Sequence, residues 1–283
     1  MVGQVVVVTD STAYLPSGWA EKAGVLVVPV QVVIAGQAYD ETDDEQAEIV
    51  SRALADWKPV TTSRPSPERF LQAFRAAKDA GARHVVVATL SGALSATHES
   101  AVLAARESPI AVTVIDSRTI AMGLGFGVIS GAEMASMGAS PEAVAAVIEQ
   151  RFSTTQVTFY VDTMEYLRRG GRVSAARAAV GQVLQVKPLL RIDDGRVVML
   201  EKVRTAGRAL ARLADIAVEA AGDQDVDIAV QHLSAPERAN ELAARIGERL
   251  PDAEIVVCPV GGVVGAHVGP GMVATVVSPR VPR

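Results

Sequence analysis

Val85-Val86-Val87-Ala88-Thr89-Leu90-Ser91-Gly92-Ala93-Leu94-Ser95-Ala96-Thr97 carries a β-branched apolar run straight into a hydroxyl-rich turn. The run is short and a segment of helical period follows it to residue 106, so it reads as a parallel strand feeding a helix. Residues 5–8, all valine, lead in the same way into Thr9-Asp10-Ser11-Thr12. A third cluster, Thr61-Thr62-Ser63-Arg64-Pro65-Ser66, precedes a helix expected over 67–80, on which Phe70, Leu71, Phe74 and Ala77 share a face. Ser66-Pro67-Glu68 supplies an N-cap, a proline at the first helical position and an early acid, and Gly81 stands where that helix should stop. Such turns place neutral donors at the carboxyl edge of a parallel sheet, where open α/β folds bind ligands. None has the glycine and lysine pattern of a nucleotide phosphate loop. The pattern describes a site that holds a small anion without obvious chemistry upon it.

Valine-rich runs at 4–8, 25–34, 84–90 and 111–115 alternate with alanine-rich helical segments, which predicts an α/β domain with a doubly wound, mainly parallel sheet. The second half differs. Strands expected at 156–161, 197–203, 226–232, 254–260 and 272–278 are separated by turns as well as helices, and Asp193-Asp194-Gly195-Arg196 is a hairpin signal. A mixed sheet with helices is expected there. The boundary falls near Ser153-Thr154-Thr155, giving an N-terminal domain over 1–153 and a C-terminal domain over 154–283, with the cleft between them as the natural ligand site.

The bulk composition narrows the function. A chain of 283 residues can bury one large core or two ordinary ones. Aromatic residues make up only 4%, so the cores must be built mainly from Val, Ala, Leu and Ile. A net charge of −5 argues against broad electrostatic binding to nucleic acid. The single cysteine, Cys258, excludes an intramolecular disulfide and reads as strand-end filler in a reducing compartment. No apolar run reaches the ~18–20 residues needed to span a bilayer, and no signal peptide is read, so the expectation is a cytoplasmic protein without stable membrane insertion.

Each polar motif has a structural reading beside a functional one. Ser95 can cap the helix that follows it and leave donors aimed outward, or it can be a cap alone. Ser11 and Thr12 can bind a ligand or simply satisfy their turn, and Thr62 can be ordinary loop chemistry. Gly123, Gly125 and Gly127 do not fit a dinucleotide fingerprint and are expected inside a helix, where they permit close packing. In Arg168-Arg169-Gly170-Gly171-Arg172, the glycines would let the backbone turn and aim Arg172 into a cleft; Arg204 is a second candidate at a strand end. The four histidines show no metal-ligand spacing, and no cofactor is expected. His267 stands in Gly261-Gly262-Val263-Val264-Gly265-Ala266-His267-Val268-Gly269-Pro270-Gly271, read as a glycine-rich loop joining two strands.

Taken in order, several segments resemble the DegV family, whose members include the fatty-acid-binding subunits of bacterial fatty acid kinase. They are Val8-Thr9-Asp10-Ser11-Thr12 with Leu15-Pro16, Thr62-Ser63-Arg64-Pro65-Ser66, Leu90 to Thr97, Val114-Ile115-Asp116-Ser117 and Gly170-Gly171-Arg172-Val173-Ser174. Lys187-Pro188, Asp194-Gly195, Lys202-Val203-Arg204 and Gly265 to Gly271 complete the set. The resemblance implies a two-domain DegV-like fold with a long-chain fatty acid between the domains and its chain in the first. The carboxylate would be held by Thr62, Ser63 and Ser95 with His267 nearby. Arg172 and Arg204 match positions associated with the acyl phosphate and with the ATP-binding kinase subunit as partner. The chain would then be a carrier serving phospholipid synthesis, and not itself an enzyme. Two departures stand out: Arg64 where the family commonly has glutamine, and Ala96 where it has glycine. Two other classes stay open: a lipid-sensing or transport protein without a kinase partner, and a small-molecule enzyme using Ser11, Asp116 or His267.

Overall fold

The computed structural model describes residues 4–41, 45–56, 58–173 and 187–281. Along the first part run β1 (Val5–Asp10), α1 (Trp19–Ala23), β2 (Leu26–Val28), β3 (Gln31–Ile34), β4 (Gln37–Asp40), α2 (Glu45–Ala55) and β5 (Val60–Ser63). There follow α3 (Pro67–Asp79), β6 (His84–Thr89), α4 (Thr97–Arg106), β7 (Ala111–Asp116), α5 (Met122–Ser136) and α6 (Pro141–Thr154). The remainder holds β8 (Gln156–Tyr160), α7 (Glu165–Arg169), β9 (Lys187–Asp193), β10 (Arg196–Val203), α8 (Ala206–Ala221), β11 (Val226–His232), α9 (Pro236–Gly247), β12 (Glu254–Pro259), α10 (Gly262–Val268) and β13 (Val273–Pro279).

These elements form two compact units. Unit 1 comprises residues 1–31, 63–154 and 281–283; unit 2 comprises 32–62 and 155–280. Residues 32–62, N-terminal in sequence, therefore group with the second unit. The physical reason lies in unit 2 itself: the buried Glu41 carboxylate accepts from Val263 N at 2.8 Å, and Val50 of α2 faces Gly265 of α10.

Unit 1 is a parallel sheet of order β2-β1-β6-β7. The alternation of side chains across a strand decides what covers each face. Val5, Val7, Val86 and Ala88 pack with Leu124 and Val128 of α5 and with Val144 and Ile148 of α6. Val6, Val8, Val85 and Val87 face Phe70 and Phe74 of α3 and Ala101 and Ala104 of α4. The glycines of α5 are helical and buried, but their service is not only to the sheet. A side chain at Gly127 would overlap the Phe152 ring on α6, and one at Gly131 would overlap Ile148. They let two helices approach.

Unit 2 is built on a mixed sheet of order β10-β9-β8-β13-β11-β12, in which β11 pairs with β12 in parallel and the other neighbouring strands pair antiparallel. Helices α8 and α9 cover one face through Leu210, Leu213, Ala217, Ala239, Leu242 and Ile246. The expected hairpin joins β9 to β10; Asp194 and Gly195 sit at φ 51° and 74°, the two positive values of a type I′ turn. A small sheet of order β4-β3-β5 brings Thr62 to the end region of β5.

Candidate functional site

The segment read as a glycine-rich loop is a helix, α10, and its last turn carries His267. Gly262 and Gly265 lower its intrinsic helicity, so packing must hold it. Glu41 accepts from Val263 N in the first turn, and Gly265 lies against the Leu233 side chain, where a Cβ would stand 3.1 Å from Cδ2. Beyond the last turn the chain reverses through Gly269 and Gly271, at φ 75° and 86°. A side chain at either would overlap Tyr166 or Asp162 respectively. Arg238 donates to the Gly271 carbonyl at 3.2 Å and to Asp162 Oδ2 at 3.1 Å, while Lys187 donates to Asp162 Oδ1 at 3.1 Å and Tyr160 adds a further hydrogen bond to that oxygen. Burial alone would raise the Asp162 carboxyl; the hydrogen bonds from Tyr160, Lys187 and Arg238 hold it below the ordinary range. It is an anchored carboxylate.

Against this fixed helix the Thr62 hydroxyl of β5 lies 3.0 Å from His267 Nε2. The imidazole is pushed down to about 4, first by burial and then by the charge of Arg172, so it is neutral at pH 7. Its Nδ1 is buried without a hydrogen-bond partner among the described residues. Arg172 donates to the Gly170 carbonyl at 2.6 Å. Gly171, at φ 69°, supplies the turn expected of the glycine pair, whereas Gly170 has an ordinary φ of −69° and lies over the His267 ring. A neutral imidazole and a hydroxyl, with a guanidinium contributing positive potential, can orient an anion without transferring a proton to it.

In unit 1 the strand order reverses direction between β1 and β6, the position where open sheets receive ligands. The buried Asp10 carboxylate spans those two strand ends. It accepts from Leu90 N at 2.8 Å, from Thr12 N at 3.0 Å and from the Thr12 hydroxyl at 2.5 Å. Burial pushes this carboxyl up to about 6 in spite of those three donors. Asp116 Oδ1 accepts from Gly92 N and Arg118 N, both at 3.0 Å. Ser95 is not the N-cap residue, which is Ala96; its hydroxyl lies 2.9 Å from that of Thr97 and accepts from Thr97 N at 3.3 Å. Ser66 occupies its N-cap position without a side-chain cap bond.

The structure thus brings Thr62, His267 and Arg172 together in unit 2, although a boundary near residue 153 places Thr62 in the N-terminal part. Ser95 and Ser63 belong to unit 1, and the exposed Ser63 hydroxyl donates to the Arg64 carbonyl at 3.4 Å. Arg204 is exposed between β10 and α8. Ser174 and Arg177 lie outside the described residues. Arg64 pairs with Glu99 at 2.7 Å, so a carboxylate within its own unit offsets its charge. Of the residues named for an enzymatic reading, Ser11 accepts from Val30 N at 3.0 Å, and Asp116 serves its turn as described. Sequence reasoning missed Glu41, Asp162, Tyr166 and Arg238, which fix α10. No local pattern marks them, because each acts on a glycine or an amide far away in the chain.

Among the described residues there is no group of three or more His, Cys, Asp or Glu placed to hold a metal ion, and no helix long and apolar enough to cross a membrane. Fold and site define a two-unit α/β protein in which, within unit 2, a hydroxyl of β5 meets an imidazole of α10. The chain belongs to the DegV family: the family model described as "Uncharacterised protein, DegV family" matches residues 4–280. A DegV domain-containing protein of Streptomyces coelicolor is 48% identical over 281 residues, covering 99% of this chain and 100% of the relative. A structure described as fatty acid binding of a DegV family protein from Thermus thermophilus superposes with a TM-score of 0.91 at 32% identity, covering 97% of this chain and 99% of that one. DegV of Bacillus subtilis, described as a fatty acid binding protein, gives 0.90 at 29% identity, covering 98% and 100%. The parallel sheet of unit 1 and the mixed sheet of unit 2 match the architecture of these proteins.

Proposed function

We propose that this chain binds a long-chain fatty acid and holds its carboxylate at the Thr62–His267 pair. The observation that carries this reading is the 3.0 Å contact between the Thr62 hydroxyl and a neutral, largely buried imidazole, with the Arg172 charge beside it. That set orients an anion by hydrogen bonding and positive potential. The fatty acid binding described for the Thermus thermophilus and Bacillus subtilis relatives supports the choice of ligand. Ser95 and Ser63 are proposed as further hydroxyl ligands.

Removing the roughly 14 methylenes of a C16-type chain from water is worth about 11 kcal/mol gross, at ~0.8 kcal/mol each. Association and chain-ordering entropy offset much of that gain. The polar groups therefore need only orient the head-group. We further propose that the protein presents the carboxylate to a separate ATP-dependent fatty acid kinase. Arg172 and Arg204, both on unit 2 and exposed, are the proposed contacts to the acyl phosphate or to that partner. Native mass spectrometry of protein purified without denaturation tests the ligand assignment. An added mass that dissociates as a fatty acid is expected; protein that neither carries nor takes up oleate contradicts it.

A further inference from the structure

Two adjacent glycines follow α7 for different reasons. Gly171 needs its left-handed backbone and has open space where a side chain would stand. Gly170 has a φ any residue adopts, so its backbone does not call for glycine. What calls for it is His267. A Cβ built on Gly170 would overlap Nδ1 and stand 3.0 Å from Cε1 and 3.3 Å from Cγ of that ring.

The ring has little room to retreat. Its helix is held at Val263 by Glu41, at Gly265 by Leu233 and at Gly269 by Tyr166. Tyr166 belongs to α7, the helix that ends at Gly170, so α7 meets the His267 segment at two points. The Arg172 guanidinium, donating to the Gly170 carbonyl at 2.6 Å, ties down the peptide that covers the ring.

We propose that Gly170 is the positioning residue for His267: its missing side chain lets the backbone close over Nδ1 and leaves Nε2 seated on the Thr62 hydroxyl. Through that seating Gly170 sets the affinity for a carboxylate, a consequence that rests on the fatty acid reading above. A larger residue here shifts the imidazole off Thr62 and lets water reach it.

The test uses the full chain with ¹⁵N-labelled histidine, as wild type, Gly170→Ala and Gly207→Ala. Gly207 has open space at the start of α8 and serves as the neutral glycine-to-alanine control. Imidazole nitrogen shifts followed against pH report the His267 ring whether or not lipid binds. Gly170→Ala should raise the His267 midpoint by about one unit or more toward its ordinary value, and Gly207→Ala should leave it in place. A His267 titration in Gly170→Ala that superimposes on wild type overturns the proposal. Should Gly170→Ala fail to fold, His267→Ala/Gly170→Ala decides: recovery of the fold once the ring is gone supports the contact, and continued failure overturns it. Oleate binding is measured on the same delipidated samples. A loss of about tenfold, near 1.4 kcal/mol, is expected in Gly170→Ala, with no further loss when the change is made in His267→Ala. A shifted ring with oleate affinity intact upholds the positioning role and counts against the carboxylate assignment alone.

Discussion

The hydroxyl of Thr62 and Nε2 of His267 meet at 3.0 Å, joining the end of β5 to the last turn of α10 within one compact unit. Two residues far apart in sequence thus form one polar face, and the imidazole is held by groups that take no part in it. Glu41 and Leu233 fix the helix beneath the imidazole, and Gly170 closes over it.

The buried state of this imidazole has a measurable consequence. Held at about 4 against an ordinary value near 6.5, His267 stays neutral in the folded protein while the unfolded chain takes up a proton. The unfolded state binds more protons between those values, so stability rises with pH across that window. The contribution is fully present above about 6.5 and is lost as pH falls through about 4. Urea midpoints of wild type minus those of His267→Gln should climb from pH 4 to 6.5 and level off above, a window set by the two values cited. A difference that stays flat contradicts a buried neutral ring.

Arg172 should act on the head-group mainly through its charge. Arg172→Ala removes the positive neighbour that helps depress His267, so the imidazole midpoint should rise. Fatty acid retention should fall less than acyl-phosphate formation with a fatty acid kinase, both measured on the same preparation. Equal loss of the two would make Arg172 a head-group ligand and remove the reason for assigning it to the partner.

Ser95→Ala deletes a hydroxyl that bonds Thr97 near the start of α4. The structural cost should be that of a part-buried local hydrogen bond, about 0.5–1.5 kcal/mol, leaving the fold intact. Co-purified fatty acid, quantified by mass spectrometry, should drop if Ser95 is a ligand. Occupancy equal to wild type would leave Ser95 a turn residue only.

Much of the fold is legible in the sequence because short-range chemistry decides it. The valine runs of β1 and β6 bury both faces, and Asp194-Gly195 satisfies a turn that demands two positive φ values. Helix α10 is not legible, since its glycines argue against a helix and only Glu41, Leu233 and the residues around Gly271 hold it in place. The grouping of residues 32–62 with unit 2 depends likewise on what α2 packs against. At the site, Thr62, His267 and Arg172 were marked by motif, but the reason for Gly170 was hidden: it is a contact with one ring, not a backbone requirement. The partner of Arg64 is not legible either, because Glu99 stands 35 residues further along the chain.

The central claim is that Thr62, seated on His267, holds a fatty acid carboxylate. Its most direct test is the affinity of delipidated protein for oleate in wild type and Thr62→Val, which keeps the shape of the side chain and removes the hydroxyl. A hydrogen bond to a charged group contributes about 1.5–3 kcal/mol, so Thr62→Val should bind oleate at least about tenfold more weakly, with a stability loss of about 1–3 kcal/mol from the unpaired Nε2. Equal affinity in the two proteins would contradict the claim.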